Sequence, residues 1–542
     1  MDRKPLPVGI SNFAEVVQDF YYVDKSLLIA ELLEKSSKVT LITRPRRFGK
    51  TLNMYMLKEF FDIEKDTAHL FNHLKIANTK WYKELNGYPT LFFSFKDSKG
   101  DELLAHMKDQ LFAEYKKYHF IEGSLEDHQI ERYKKIMANL LDLGAPKIIE
   151  LDTAIRFLSE VVSKHYGKTV VILIDEYDTP MESAFSAGTY EKYRDFFTSL
   201  YSSALKDNPY LKMAVLTGIQ RIAKENIFSN LNNLDVATVI DKEYNTCFGM
   251  TTEETQTLLE AYDLTITQDV KNLYDGYNFG GVDIYNPWSV INYAQKRELR
   301  TFWANTSRNE ILKKSILESG LDFKESFEKL IADNNVLIQV DLQTSFSEIA
   351  NTETLWGLLL NAGYITGVGE YPVQDDCFRV CIPNYEVAKD FKHIVAGYTQ
   401  FGTILQKMFT YLITENDIEE FKKLYQKIVL QATSNFDAKE NAYHMLFLGM
   451  CIYLRPDYEV KSNIEQGLGR SDIMLKSTRP DRQSLIIEFK QGENAEQLSK
   501  QALEQIKAKN YHADFDGDVA LLGIGHNKKE CFIMSELCAT NT

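Results

Sequence analysis

The chain has 542 residues, 44% of them hydrophobic and 26% charged, which supplies several packed cores and excludes wholesale disorder. Its 62 basic and 77 acidic side chains leave a net charge of −15, against a surface coated in nonspecific DNA contacts, though not against a local basic groove. No apolar run approaches the ~18 residues of a membrane span, which excludes an integral membrane protein. The opening Met1–Pro7 lacks the apolar core of a signal peptide, and the six cysteines are scattered without CxxC or zinc-like spacing. A cytoplasmic chain with reduced, buried thiols is expected.

In chain order, residues 38–43 form a short β-branched run, 44–49 a basic turn-rich loop, and Leu52, Tyr55, Met56 and Phe60 the spacing of a helix. Further strands are expected at 89–95, 169–174, 211–216 and 236–240, with helices at 101–117, 126–141, 150–165 and 190–206. That alternation indicates an α/β domain with a mainly parallel sheet over residues 1–245. From 246 to 400 the pattern changes. Thr251–Glu254 reads as a helix N-cap with acids in its first turn, Tyr274–Gly281 as a turn cluster, and the rest as a helical, winged-helix-like lid and connector. Residues 401–542 have their own order: helices at 401–413, 416–432 and 437–454, strands at 457–463, 470–476 and 484–490, a helix at 494–510, and strands at 518–524 and 531–535. This is a second α/β domain.

Residues 44–51, Arg-Pro-Arg-Arg-Phe-Gly-Lys-Thr, follow the first strand directly. Gly49, Lys50 and Thr51 have the form of the second half of a phosphate-binding loop. Gly49 lets backbone N–H groups approach phosphate, Lys50 places its ammonium on the β/γ oxygens, and the Thr51 hydroxyl can hold Mg²⁺. Arg46, Arg47 and Phe48 join them as nucleotide contacts, while Arg44 stands where the first glycine would be. The apolar strand Val170–Ile174 ends in two acids, Asp175 for Mg²⁺ and Glu176 to polarise the attacking water. A third strand ends at Leu216-Thr217-Gly218, where Thr217 could sense the γ-phosphate and Arg221 contact it.

The motifs Arg44–Thr51, Ile174–Pro180, Thr217–Ile219 with Arg221, and Ile227–Leu234 resemble the AAA-ATPase-like family of bacterial proteins. Members of that family often carry a C-terminal PD-(D/E)XK nuclease-like domain. Tyr274–Tyr277, Tyr285–Ser289 and Asn305–Ser307 look like further marks of it. The resemblance implies an AAA/STAND-like P-loop NTPase that binds and hydrolyses ATP with Mg²⁺.

In the last domain Asp472 opens one strand, while Glu488 and Lys490 share a face of the next because alternate strand residues point the same way. Two carboxylates and a lysine can bind Mg²⁺, or Mn²⁺ in its place, and activate water for phosphodiester hydrolysis. Glu440 on the preceding helix offers a third acid, His444 is a substrate contact or a satisfied helix histidine, and Gln505 and Tyr511 lie on or after the following helix, where the resemblance to restriction-endonuclease-like nucleases implies further site residues. The order helix, strands, helix is similar to the PD-(D/E)XK, restriction-endonuclease-like core. The leading function is an ATP-regulated, Mg²⁺-dependent nuclease acting on nucleic acid, DNA ahead of RNA. The alternative is a regulatory NTPase whose nuclease-like domain is catalytically silent and binds nucleic acid or a protein partner.

Overall fold

The structure is a computed structural model. It describes residues 3–142, 150–222, 234–303, 334–344, 351–369, 376–391, 402–432, 458–466, 469–479, 482–509, 515, 517–527 and 530–538, with single positions between 312 and 330 and at 447, 451, 454 and 511. The chain divides into two compact units. The first comprises Met1–Trp303, Arg308–Ser315 and Gln339–Phe378, the second Ala304–Ser307, Ile316–Ile338 and Arg379–Thr542. Among the described residues no helix is long and apolar enough to cross a membrane.

In the first unit, strands β1 (Val39–Thr43), β2 (Thr90–Ser94), β3 (Val170–Asp175), β4 (Leu211–Gly218) and, after the two-residue β5 (Arg221–Ile222), β6 (Leu234–Ala237) supply the main sheet. Its order is β2-β3-β4-β1-β6, and every pairing is parallel. β1 and β3 are buried along their whole length, because helices such as Lys50–Phe61, Leu103–Lys117 and Ala154–Tyr166 cover both faces. All carboxyl ends therefore emerge on one edge, where open α/β sheets bind ligands. There β4 lies between the loop after β1 and the acids after β3.

The segment expected to be helical also carries strands. β7 (Met250–Thr251), β8 (Tyr277–Phe279) and β9 (Val282–Tyr285) form an antiparallel sheet ordered β7-β9-β8, flanked by helices Thr252–Ala261, Gln268–Tyr274 and Pro287–Lys296. Gly280 (φ +52°) and Gly281 (φ +89°) both adopt the left-handed conformation that a two-residue hairpin requires, so the turn cluster pairs Phe279 with Val282. Gly280 admits no side chain, since a Cβ would lie 2.3 Å from the Asp241 carbonyl oxygen. The expected N-cap is present at Thr251, which forms a capping box with Glu254. Beyond it lie the short strands β10 (Val336–Gln339), β11 (Gln343–Thr344), β12 (Thr366–Gly367) and β13 (Cys377–Cys381), and the helix Thr352–Ala362.

The second unit holds a five-stranded sheet, β14 (Tyr458–Gln466), β15 (Gly469–Ser477), β16 (Ser484–Gln491), β17 (Val519–Asn527) and β18 (Glu530–Cys538), in that spatial order. Only β16 and β17 run parallel, joined by the crossover helix Ala495–Ala508. One face buries Leu485, Ile487 and Phe489 against the helices Gly402–Thr410 and Ile418–Ala432. The other buries Ile486 against Leu503 and Ile506 of the crossover helix. That helix lies close to the sheet because β17 carries glycines. A Cβ on Gly523 would lie 2.3 Å from Ser499 O, and one on Gly525 2.1 Å from Ala495 O. Since backbone cannot yield as a side-chain tip can, Gly523→Ala should push the helix outward and destabilise the protein by about 1–3 kcal/mol, read by denaturant unfolding of the full chain.

Candidate functional site

The loop after β1 turns through Arg47 (φ +70°) and Gly49 (φ +84°) before the helix Lys50–Phe61 begins. Gly49 supplies the left-handed residue that opens the helix without steric cost. Lys50 is buried, and its ammonium donates to the loop's own carbonyls, Arg44 O at 2.8 Å and Pro45 O at 2.9 Å. Burial pulls its pKa down, and the charges of Glu176, Asp178 and Asp175 oppose that fall. An ammonium held among carbonyls and acids is suited to exchange those carbonyls for phosphate oxygens.

Asp175 is the centre of this edge. Its Oδ2 accepts the Thr51 hydroxyl at 2.8 Å and its Oδ1 the Thr217 hydroxyl at 2.7 Å, so one buried carboxylate joins the loop helix, β3 and β4. Burial raises its pKa, while both hydroxyl bonds and the Lys50 charge lower it. Thr217 thus meets Asp175 directly. Glu176, half-buried at φ +53°, accepts the Thr179 hydroxyl at 3.2 Å. Thr51 and Asp175 present two oxygens beside the phosphate loop, a donor set that fits Mg²⁺. Arg221 lies in β5, paired with β11, and its Nε is buried without a hydrogen-bond partner among the described residues.

The other loop residues divide in their roles. Arg46 is half-buried, and Arg47 is exposed with its guanidinium 4.2 Å from the Trp288 ring. The Phe48 side chain is buried edge-on against Tyr277 (4.9 Å) and beside Phe279 (5.1 Å), leaving only its backbone for a nucleotide. Arg44 is fully buried. Its Nη1 donates to Thr43 O (2.8 Å), Ala237 O (3.1 Å) and Thr238 O (2.7 Å), and its Nη2 to Glu243 O (3.2 Å). The residue in the first-glycine position is therefore a clamp on the end of β6, a role that spacing alone does not reveal. Sequence reasoning also passed over Asp178 and Glu182. The Glu182 carboxyl is pushed up to about 8 by burial and by the neighbouring Asp178.

In the second unit, pairing of Ile473 with Ile487 sets Asp472 opposite Glu488. Asp472 Oδ2 accepts the Phe489 N–H at 2.7 Å, and the Asp472 N–H points to Glu488 Oε2 at 3.4 Å. Glu488 is buried, and its Oε1 accepts from Lys490 Nζ at 3.3 Å and from the Gln505 amide. The Tyr511 side chain is buried within reach of Gln505. The structure thus brings Asp472, Glu488, Lys490, Gln505 and Tyr511 together, while Glu440 and His444 lie outside the described residues. Desolvation, then the Asp472 charge, push the Glu488 carboxyl up to about 7, with Lys490 opposing. Two adjacent carboxylates, one destabilised by the other, fit a hard divalent cation that would relieve both. A residue missed from sequence, His526, is buried with Nε2 3.0 Å from the Tyr425 hydroxyl, and burial lowers its pKa to about 3. It acts as a neutral core residue.

Fold and site geometry define a P-loop-type α/β domain followed by a PD-(D/E)XK-type domain. Residues 7–228 match the family described as Predicted AAA-ATPase, and residues 438–536 match the PD-(D/E)XK nuclease superfamily. The chain carries an AAA-ATPase-like domain and, after it, a PD-(D/E)XK nuclease superfamily domain. It is also similar, at 29% identity over 399 residues, to an uncharacterized protein in the vnfD 5′ region of Azotobacter chroococcum mcd 1, covering 71% of this chain and 69% of that protein.

A carboxyl raised from its ordinary 4.5 to about 7 binds its proton more tightly when folded. Without metal, Glu488 therefore costs nothing below pH 4.5 and costs increasingly as pH rises to 7, by at most about 3 kcal/mol. Glu488→Gln should raise the Tm of the full chain in a chelator at pH 8 and change it little at pH 4.5. An equal shift at both pH values would place the Glu488 titration elsewhere.

Proposed function

We propose that this protein is an ATP-regulated, metal-dependent nuclease. Its parts are an ATPase domain over residues 1–245, a lid and connector over 246–400, and a nuclease domain over 401–542. The observation that carries the proposal is the Glu488 carboxylate, buried opposite Asp472 and bonded by Lys490 and Gln505 on one face of β16. A buried glutamate facing a half-buried aspartate is costly to keep for packing alone, because apolar residues often fill such a face at no loss of stability. Among the described residues the six cysteines are free thiols, which supports a cytoplasmic location.

In the N-terminal site Lys50 would bind the β/γ oxygens of ATP, with the backbone N–H groups from Arg46 to Gly49 around them. Thr51 and Asp175 would hold Mg²⁺, Glu176 would take the proton of the attacking water, and Thr217 and Arg221 would report the γ-phosphate. In the C-terminal site Asp472 and Glu488, with Glu440 as a third acid, would hold Mg²⁺ or Mn²⁺. When bound, such a cation neutralises charge on the scissile phosphate. Lys490 would orient the water, Gln505 and Tyr511 would fix Glu488, and His444 would contact the substrate. That substrate is nucleic acid, with DNA favoured over RNA. No stretch rich in Gly, Ser or Pro separates 250 from 430, which supports coupled rather than independent action of the two activities.

Lys50→Ala should abolish Mg·ATP binding in calorimetry, and Glu176→Gln should retain binding but slow hydrolysis by about 10²–10⁴-fold. Wild-type ATP affinity in Lys50→Ala would end the phosphate-loop assignment. For the nuclease, Asp472→Ala and Glu488→Ala should each remove plasmid cleavage and weaken Mn²⁺ binding, and Lys490→Ala should remove cleavage with most metal binding intact. Cleavage should also differ about 5-fold or more among apo, ADP and ATP states. Intact metal affinity in Asp472→Ala would refute the site, and equal rates in all three states would refute regulation.

A further inference from the structure

Beyond Glu176, the next two residues of the acid loop bind the turn that follows β4. Asp178 is buried, and its Oδ2 accepts the backbone N–H groups of both Ile219 (2.7 Å) and Gln220 (2.8 Å). The Tyr177 N–H donates to Thr217 O at 3.0 Å. The Tyr177 hydroxyl donates to Gln220 O at 2.6 Å and accepts the Ile222 N–H at 3.0 Å. Gly218 completes the fit, since a Cβ there would lie 2.7 Å from Tyr177 Cε1 and 2.8 Å from Asp178 Oδ1. Tyr201, from the helix Tyr190–Leu205, holds the acid loop in turn by donating its hydroxyl to Tyr177 O at 2.9 Å.

We infer that Asp178 is a positioning residue whose carboxylate fixes the turn 218–222 and, through it, sets Thr217 and Arg221 opposite the acid pair Asp175–Glu176. The inference rests on the nucleotide reading of that pair. One oxygen accepting two backbone N–H bonds in a dry site is a charge-assisted anchor, stronger than a neutral bond and dependent on both partners staying in place. The Lys50 ammonium lies near enough to offset part of the cost of burying the charge. The turn also reaches outward. Gln220 Nε2 donates to Leu358 O at 3.4 Å, the Asn361 amide donates to Gln220 Oε1 at 3.3 Å, and Arg221–Ile222 pairs with Gln343–Thr344. Asp178 therefore stands between the acid pair and the helix Thr352–Ala362, so a shift of the acid loop moves the turn and what the turn touches.

The test compares two substitutions in the full chain. Asp178→Asn keeps an oxygen that can accept both N–H bonds, and Asp178→Ala does not. Hydrogen exchange of peptides spanning 217–222 should quicken by about 10-fold or more in Asp178→Ala and stay within about 3-fold in Asp178→Asn. The kcat for ATP hydrolysis should fall by about 10-fold or more in Asp178→Ala, with ATP and Mn²⁺ affinities within about 3-fold, and be largely rescued by Asp178→Asn. Unchanged exchange or unchanged kcat in Asp178→Ala overturns the inference. So does an Asp178→Asn enzyme as inactive as Asp178→Ala, with weakened Mn²⁺ binding, because that marks a metal ligand. If Asp178→Ala does not fold, Tyr177→Phe removes two bonds of the same turn, and wild-type values of both readouts there overturn the inference. A wild type that hydrolyses no ATP refutes the nucleotide reading instead, and the exchange comparison still decides whether Asp178 holds the turn.

Discussion

The first unit depends on the bonding of one carboxylate. Asp175 accepts a hydroxyl from each side, Thr51 from the helix after β1 and Thr217 from β4, and so ties three successive elements of the sheet edge at one buried point. Because β4 lies between β1 and β3, those two strands share no ladder of their own, and the Thr51–Asp175 bond joins their ends directly. Desolvation strains the charge while the hydroxyl bonds and Lys50 hold it, a balance that a cation beside Thr51 would tip toward the ionised form.

Arg44 fills the place where a phosphate-binding loop would carry its first glycine, and its bonds explain why. A guanidinium is always charged and offers five donors, so burial demands acceptors on several sides. The carbonyls of Thr43, Ala237, Thr238 and Glu243 supply them, and the rings of Phe248 and Phe279 lie at 5.5 and 5.4 Å. The loop backbone is thereby fastened to the end of β6 and to the β8–β9 hairpin. The same hairpin packs Tyr277 on Phe48, and Trp288 beyond it lies under Arg47. The sequence motifs around Tyr277 and Trp288 are thus supports of the loop 44–51, far from it in sequence and against it in space.

In the second unit the two faces of β16 do different work. Leu485, Ile487 and Phe489 build the core, whereas Glu488 and Lys490 face the crossover helix. Gly523 and Gly525 pair with those two residues in register and carry no side chains, which lets the helix come close enough for Gln505 to reach Glu488. Close packing and a polar site are usually in tension, and glycines on the adjoining strand resolve it here.

Long, strongly patterned elements were legible in the sequence because burial on both faces of a parallel sheet leaves continuous apolar runs, as in Val170–Ile174, and because amphipathic helices separate them. Period-two alternation by itself likewise puts Glu488 and Lys490 on one face of a strand. The strands β7, β8 and β9, of two to four residues, are too short to show a period, so that region read as helix and turn. Tertiary structure alone decided what depends on register and on through-space bonds between distant residues. It set Asp472 opposite Glu488, turned the Phe48 ring into the core, made Arg44 a clamp, and bound Asp178 to the amides of Ile219 and Gln220. Local pattern reports which face a residue prefers, and only the assembled sheet decides which partners wait there.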